Sequence, residues 1–171
     1  MELLKIKSSI DERANALTYH ISIVSTVFSG HIVKNYQLSH DQHLNLILIS
    51  TAQQLHLVDR LLFINNFERR KEIIHRVFIG QARMIAGLWP QFYEQGSLEF
   101  FSDKQLEYIQ YPDIMKKNNI HYPRGSLLWE FGEEIALSSN KKRNHQLIMI
   151  TMGTYKFYYI NNAEIRGFLT A

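Results

Sequence analysis

The chain has 171 residues, 46% hydrophobic and 12% aromatic, which is enough apolar surface for a packed core and excludes a disordered protein. The absence of cysteine excludes disulfides, cysteine nucleophiles and thiolate metal sites. The formal net charge of +3 is too small to imply a nucleic-acid partner by itself.

The charge is distributed unevenly along the chain. Residues 1–89 hold ten basic against seven acidic side chains, residues 90–135 hold four against eight, and residues 136–171 hold five against one. An acidic middle between basic flanks fits pairing within the molecule. It also fits a basic C-terminal surface that binds phosphates or an acidic partner.

Targeting signals are the next class to consider. The first nine residues, MELLKIKSS, lack the apolar stretch and the small-residue cleavage site of a secretory signal. The sequence shows no apolar run near the roughly 18 residues that a membrane span needs. We therefore expect a cytoplasmic protein that does not contact a membrane.

Three long amphipathic helices are predicted for the N-terminal half. The first covers 11–34, where apolar residues recur at steps of three and four after a cap from Ser9 or Asp11. The second opens on a capping-box sequence, Ser39-x-x-Gln42, and ends near residues 65–66. The third runs from Phe67 to the residues before Pro90. Short joints between amphipathic helices favour an antiparallel bundle.

The middle of the chain is predicted to contain shorter elements. Gln95-Gly96-Ser97 indicates a break, and Ser102 begins a sequence typical of a helix N-cap. Two prolines, at positions 112 and 123, bound a predicted small helix over 113–118.

The C-terminal part predicts β structure. Branched and aromatic residues dominate 127–137, 145–152 and 154–160, which we interpret as two or three antiparallel strands. The first of these segments also suits a helix, because of glutamates at 130, 133 and 134. The predicted fold is therefore α+β in a single domain over 1–171. An antiparallel three-helix bundle followed by short helices occupies about 10–120, and a C-terminal antiparallel β-hairpin or small sheet occupies about 125–165.

The C-terminal segment also carries a candidate nucleic-acid interface. On a strand over 154–160, Lys156 and Tyr158 share one face and three aromatic residues share the other. Aromatic faces beside cations suit single-stranded nucleic acid, although a core face and a solvated turn are the alternative. With the basic start of the third helix, the candidate residues are Lys141, Lys142, Arg143, Lys156, Tyr158, Arg69, Arg70 and Lys71.

One pair of residues resembles a catalytic motif. Arg70 and His75 have the Arg-x4-His spacing, which resembles that of the HEPN nucleases, helical bundles that cleave RNA. The resemblance covers six residues. It implies that His75 acts as acid or base on the ribose hydroxyl and the leaving oxygen, and that Arg70 stabilises charge on the phosphate. The alternative is a solvated basic face on the third helix.

Other chemistry-bearing patterns are sparse. Glu72-x-x-His75 has the spacing of di-iron bundles, but those bundles need the motif twice and it occurs here once. The sequence has neither a glycine-rich phosphate loop nor a G-x-S-x-G nucleophile elbow. We therefore predict no catalytic residues, no cofactor and no metal site.

These observations favour a non-enzymatic regulatory or adaptor protein inside the cell. Its expected partner is another protein or a second copy of itself, since three largely apolar helices can also form a dimer interface. Two alternatives stay open. One is a nucleic-acid-binding regulator that uses the basic, aromatic C-terminal region, and the other is a small ribonuclease that uses Arg70 and His75.

Overall fold

The computed structural model describes residues 9–64, 67–111, 126–139 and 144–160, the last range without the side chains of 153–160. Every regular element in these ranges is an α-helix. The helices are α1 (Ile10–Tyr36), α2 (His40–Ile64), α3 (Arg70–Leu88), α4 (Glu94–Tyr108), α5 (Leu127–Ser138) and α6 (His145–Ile160).

The three predicted N-terminal helices are confirmed as α1, α2 and α3, which contact one another pairwise. Ser9 caps α1 in a capping box: its Oγ accepts from the Glu12 N–H, and Glu12 Oε2 accepts from the Ser9 N–H. Ser39 and Gln42 make the same reciprocal pair at the start of α2. The side-chain oxygens satisfy N–H groups that have no partner in the first helical turn, which is why both helices begin where the sequence predicts.

Helix α2 lies at the centre of the molecule. It contacts α1, α3, α4 and α5, and every residue from Leu46 to Val58 is buried. The apolar stripes predicted for α1 and α2 are buried as expected. Leu88, the last residue of α3, is apolar but 62% exposed.

The predicted break and cap in the middle of the chain are wrong, because both lie within α4. Gly96 sits in its first turn, where an added Cβ would come within 2.9 Å of the Tyr93 ring. The glycine therefore makes room for the ring without ending the helix. Ser102 lies mid-helix, and its hydroxyl donates to the Leu98 carbonyl one turn back. The small helix predicted over 113–118 lies outside the described residues.

The prediction of a C-terminal hairpin or sheet, and with it the α+β fold class, is wrong: the described residues form no strand. The first of the three predicted segments lies in α5, and the other two lie in α6. Ser126 caps α5 by accepting from the Trp129 N–H, and Asn144 accepts from the Leu147 N–H at the start of α6. Branched and aromatic residues prefer strands only weakly, and burial between helices outweighs that preference.

Helices α5 and α6 pack against each other at Gly132, where a Cβ would meet Ile148 Cγ2 at 2.9 Å and the Ile148 carbonyl at 3.2 Å. The pair also packs on the N-terminal bundle, where α5 contacts α2 and α6 contacts α1. The rings of Phe28 on α1 and Phe131 on α5 lie 5.7 Å apart. Lys104 Nζ on α4 lies 2.5 Å from Glu134 Oε1 on α5, and the Tyr108 hydroxyl donates to the other oxygen of that carboxylate at 2.8 Å.

Although the sequence has no unbroken apolar run of the length of a membrane span, two of the described helices, α1 and α2, are long enough and apolar enough on average to cross a membrane. Their most apolar 18-residue windows have a mean hydropathy of 1.3 and 1.2. The structure buries 44% and 72% of these windows, and core helices of soluble proteins have the same composition. The cytoplasmic location stays a prediction.

Candidate binding cleft between α2, α3 and α4

A cleft of about 450 Å³ opens between α2, α3 and α4. The cleft is lined by His56, Asp59, Arg60, Phe63, Arg70, Ile74, Phe78, Gln105, Leu106 and Ile109. Its size and its mixture of apolar walls with a few polar groups are those of ligand and side-chain pockets.

A paired charge lies in the wall of the cleft. Arg70, the first residue of α3, donates through Nε to Asp59 Oδ1 at 2.7 Å and through an Nη to Oδ2 at 2.5 Å. Both side chains are mostly buried, with 32% of Arg70 and 23% of Asp59 exposed. The hydrogen bonds to Asp59 raise the pKa of Arg70, and its guanidinium lies 5.0 Å from the centre of the Phe63 ring. The two-point bond and the ring together fix the guanidinium plane.

A buried histidine contacts α4 beside this pair. Gln105 Nε2 donates to the Ala52 carbonyl at 3.2 Å, so its amide oxygen faces His56 Nδ1, 3.1 Å away. Because an amide oxygen only accepts, this contact places a hydrogen on Nδ1. The His56 ring also meets the Tyr108 ring edge-on at 5.7 Å. These contacts hold one wall of the cleft in a fixed geometry.

The rim of the cleft is apolar and open to solvent. Phe63, Leu106 and Ile109 are 63%, 68% and 73% exposed. Isolated exposed apolar side chains are ordinary, but three around one opening form a patch. A partner that covers this patch would remove it from water.

A second groove of about 510 Å³ adjoins the cleft and shares Asp59, Arg70, Ile74 and Phe78 with it. It adds Lys71 and His75 from α3 together with Leu98 and Ser102 from α4. The structure therefore brings Arg70 and His75 to one groove, as the Arg-x4-His hypothesis requires. His75 is exposed, whereas Arg70 is held by Asp59.

The predicted basic face at the start of α3 is largely neutralised by carboxylates. Arg69 donates twice to Glu72 Oε2, at 2.9 and 2.6 Å, and Arg76 pairs with Glu72 and with Asp11. Lys71 is exposed and makes no ion pair with the described part of the chain. Of the three cations predicted for this face, Lys71 is thus the one most available to an anion.

The remaining predicted nucleic-acid-binding residues are not brought to this site within the described residues. Lys141, Lys142 and Arg143 lie outside those residues. Lys156 and Tyr158 belong to α6. The prediction that they share one face relied on the alternation of side chains along a strand and is therefore wrong.

Sequence reasoning missed most of the cleft. Asp59 and Gln105 lie 11 and 35 residues from Arg70 and belong to other helices, so no local spacing connects them. The one available signal was a charged pair, Asp59-Arg60, that interrupts the apolar pattern of α2. A charge on an otherwise buried helix needs a partner, and that partner is Arg70.

Among the described residues, no three His, Asp or Glu side chains are grouped closely enough to hold a metal ion. For binding, the cleft offers the ion pair of Asp59 with Arg70 and apolar walls. Comparisons of the chain with protein-family models, with curated proteins and with solved structures find no match.

Proposed function

We propose that this protein is a non-enzymatic regulatory or adaptor protein, and that the cleft between α2, α3 and α4 binds an acidic, amphipathic segment of a protein partner. The observation that carries the proposal is the exposed apolar rim of Phe63, Leu106 and Ile109 around a cleft with charged walls. Aromatic and aliphatic anchors that enter such a pocket supply most of the binding energy of an interface.

Charge complementarity supports an acidic segment. Among the described residues that line the cleft and the adjoining groove, Asp59 compensates Arg70, and the exposed Lys71 makes no ion pair. A carboxylate of the partner that approaches Lys71 gains a favourable interaction, while apolar side chains beside it cover the rim. A basic segment would be repelled from the same lining.

The test uses a displayed library of random 16-residue peptides, selected on the immobilised protein. We expect the selected peptides to combine Asp or Glu with Leu, Ile or Phe. Leu106→Asp and Ile109→Asp should each weaken their binding by about tenfold or more, since both place a carboxylate on the apolar rim. Fluorescence polarisation of the labelled peptides measures the loss.

The matched control is Leu137→Asp, the same substitution at an exposed position of α5 that lines neither the cleft nor the adjoining groove. It should leave binding unchanged. Selection of no peptide, or equal loss of binding in Leu137→Asp and Leu106→Asp, would contradict the proposal.

The second candidate function is a small ribonuclease. The observation in its favour is that Arg70 and His75 line the same groove, in which Asp59 orients the guanidinium. On this hypothesis His75 accepts the proton of the ribose hydroxyl, and Arg70 offsets the charge on the phosphate.

A fluorophore-quencher RNA in EDTA tests this alternative without interference from metal-dependent contaminants. His75→Ala removes an exposed side chain, so the fold should survive and cleavage should fall at least about a hundredfold if His75 is the acid-base group. His31→Ala, which changes an exposed histidine on α1, is the control. Cleavage that is absent, or equal in both variants, eliminates the ribonuclease.

A further inference from the structure

A second surface of the molecule, separate from the cleft, lies on the outer side of α1. Tyr19, Ile23 and Val27 follow one another at steps of four residues and are 65%, 44% and 48% exposed. On a helix that turns by about 100° per residue, Tyr19 and Val27 point within roughly 40° of the direction of Ile23. The buried residues of α1, such as Leu17, Ile21 and Phe28, lie on the opposite side of the helix.

Beyond these three residues the same stripe continues in both directions. Toward the N-terminus it passes through Ala16 to Glu12, and toward the C-terminus through Gly30 to Lys34. All four lie within about 20° of the direction of Ile23 on a regular helix. Ala16 and Gly30 are small, and a Cβ built on Gly30 meets no atom within 4 Å, so another helix can approach closely there.

The stripe is complementary to itself when reversed. Ile23 is the midpoint of α1, which spans Ile10–Tyr36. In an antiparallel pair related by a twofold axis at Ile23, Tyr19 faces Val27 of the second copy and Ala16 faces Gly30. The same register sets Glu12 opposite Lys34 at both ends.

The end charges are placed to pair in this arrangement. Lys34 is exposed and makes no ion pair within the described chain. Glu12 uses Oε2 in the capping box, and its other carboxylate oxygen accepts no hydrogen bond from the described residues. An isologous dimer repeats each contact twice, so two such ion pairs would flank the apolar centre.

We propose that the protein associates with a second copy of itself through an antiparallel contact of α1 with α1, centred on Ile23. The occupant of the stripe is thus another molecule of this chain, selected by the Glu12-to-Lys34 complementarity and by the small residues opposite each other. The contact leaves the cleft between α2, α3 and α4 free, because no residue of α1 lines it.

The absence of cysteine in the chain permits a register-specific test. In the proposed dimer, position 23 lies opposite itself on the twofold axis, whereas positions 19 and 27 are each displaced from their own copies by about 12 Å. A disulfide needs Cα atoms within about 7 Å. Ile23→Cys should therefore crosslink to a covalent dimer under mild oxidation. Tyr19→Cys and Val27→Cys should crosslink slowly alone and rapidly when mixed.

Sedimentation of the unmodified chain gives the independent measurement. We expect a concentration-dependent dimer. Ile23→Asp should raise its dissociation constant at least about tenfold, and so should Lys34→Glu, which sets two carboxylates opposite each other. Circular dichroism confirms that each variant is folded.

Three outcomes would overturn the proposal. The first is a monomer at every concentration, and the second is Tyr19→Cys that crosslinks as fast as Ile23→Cys. The third is a monomer that sediments with phosphatidylcholine vesicles, which would assign the stripe to a lipid surface. None of these outcomes affects peptide binding in the cleft, so the two proposals fail separately.

Discussion

At the scale of single residues, the pair of Asp59 and Arg70 joins α2 to the first residue of α3. Each side chain is removed from most of its water, and each compensates the other through two hydrogen bonds. Breaking one partner leaves a half-buried charge without compensation, which is more damaging than the loss of an exposed ion pair.

Asp59→Asn should lower the free energy of unfolding by about 1–2 kcal/mol, because the neutral amide cannot match both donors of Arg70. Chemical denaturation measures the change. Arg83→Met is the control: Arg83 and Glu94 form an exposed pair at 3.1 Å, so its loss should change stability by less than about 0.5 kcal/mol. Equal effects of the two variants would show that burial of the Asp59–Arg70 pair adds no stability.

A second residue-scale effect concerns His43 at the start of α2. Burial lowers the pKa of His43, and the neighbouring His40 lowers it further. Its Nε2 lies 3.4 Å from the hydroxyl of Ser29 on α1. Because the folded state holds a proton on His43 less tightly than the unfolded state, protonation favours unfolding.

The stability contributed by neutral His43 is complete above its unfolded pKa of about 6.5 and is lost as pH falls through the lower, folded value. The unmodified protein should therefore lose more stability between pH 7 and pH 5 than His43→Gln does. Thermal unfolding midpoints at several pH values measure this difference. A His31→Gln variant, changed at an exposed site, should follow the unmodified protein.

At the scale of helices, close approach at Gly132 decides how α5 packs on α6. The nearest atoms to an added Cβ include the carbonyl oxygen of Ile148 at 3.2 Å and its Cα at 3.4 Å. Backbone atoms cannot swing away as the end of a side chain can. A methyl group at this position therefore has to push the two helices apart.

Gly132→Ala should destabilise the protein by about 1–3 kcal/mol, even though alanine is the better helix former. Gly87→Ala provides the comparison. A Cβ at Gly87 meets no atom within 4 Å, so alanine there should be neutral or stabilise by up to about 1 kcal/mol. If both substitutions stabilise, the tight contact between α5 and α6 does not exist in solution.

At the scale of the whole molecule, the contacts of α5 with α1 and α4 join the described parts of the chain. Phe28 meets Phe131, and Glu134 accepts from both Lys104 and Tyr108. Burial alone lowers the pKa of Lys104, but the hydrogen bonds to Glu107 and Glu134 raise this pKa above its ordinary value. Such contacts predict that the helices unfold together.

The two tryptophans test this cooperativity, since Trp89 follows α3 and Trp129 lies in α5. In Trp89→Phe, fluorescence reports on α5, and in Trp129→Phe it reports on the end of α3. Within each variant, denaturant transitions followed by fluorescence and by far-UV circular dichroism should coincide. Separate midpoints in either variant would divide the chain into independent units.

Local sequence determined the N-terminal helices, because their apolar periodicity and side-chain caps act within a few residues. Ser9 with Glu12 and Ser39 with Gln42 place the starts of α1 and α2. The sequence predicts the second pair, and for the first it offers Ser9 or Asp11 as the cap without naming Glu12. Arg69, Arg70 and Lys71 were also identified from the sequence as a basic face. The structure adds that Glu72 and Asp59 neutralise Arg69 and Arg70, whereas Lys71 makes no ion pair with the described residues.

Tertiary structure alone decided the state of the C-terminal segments and the composition of the cleft. Residues 127–137 and 145–160 were predicted as strands, and only the first range was given a helix as an alternative. Burial against α1, α2 and each other selects the helix for both. Likewise, Asp59, Arg70 and Gln105 are brought together by the packing of three helices. Such contacts join residues far apart in the chain, so no local pattern specifies them.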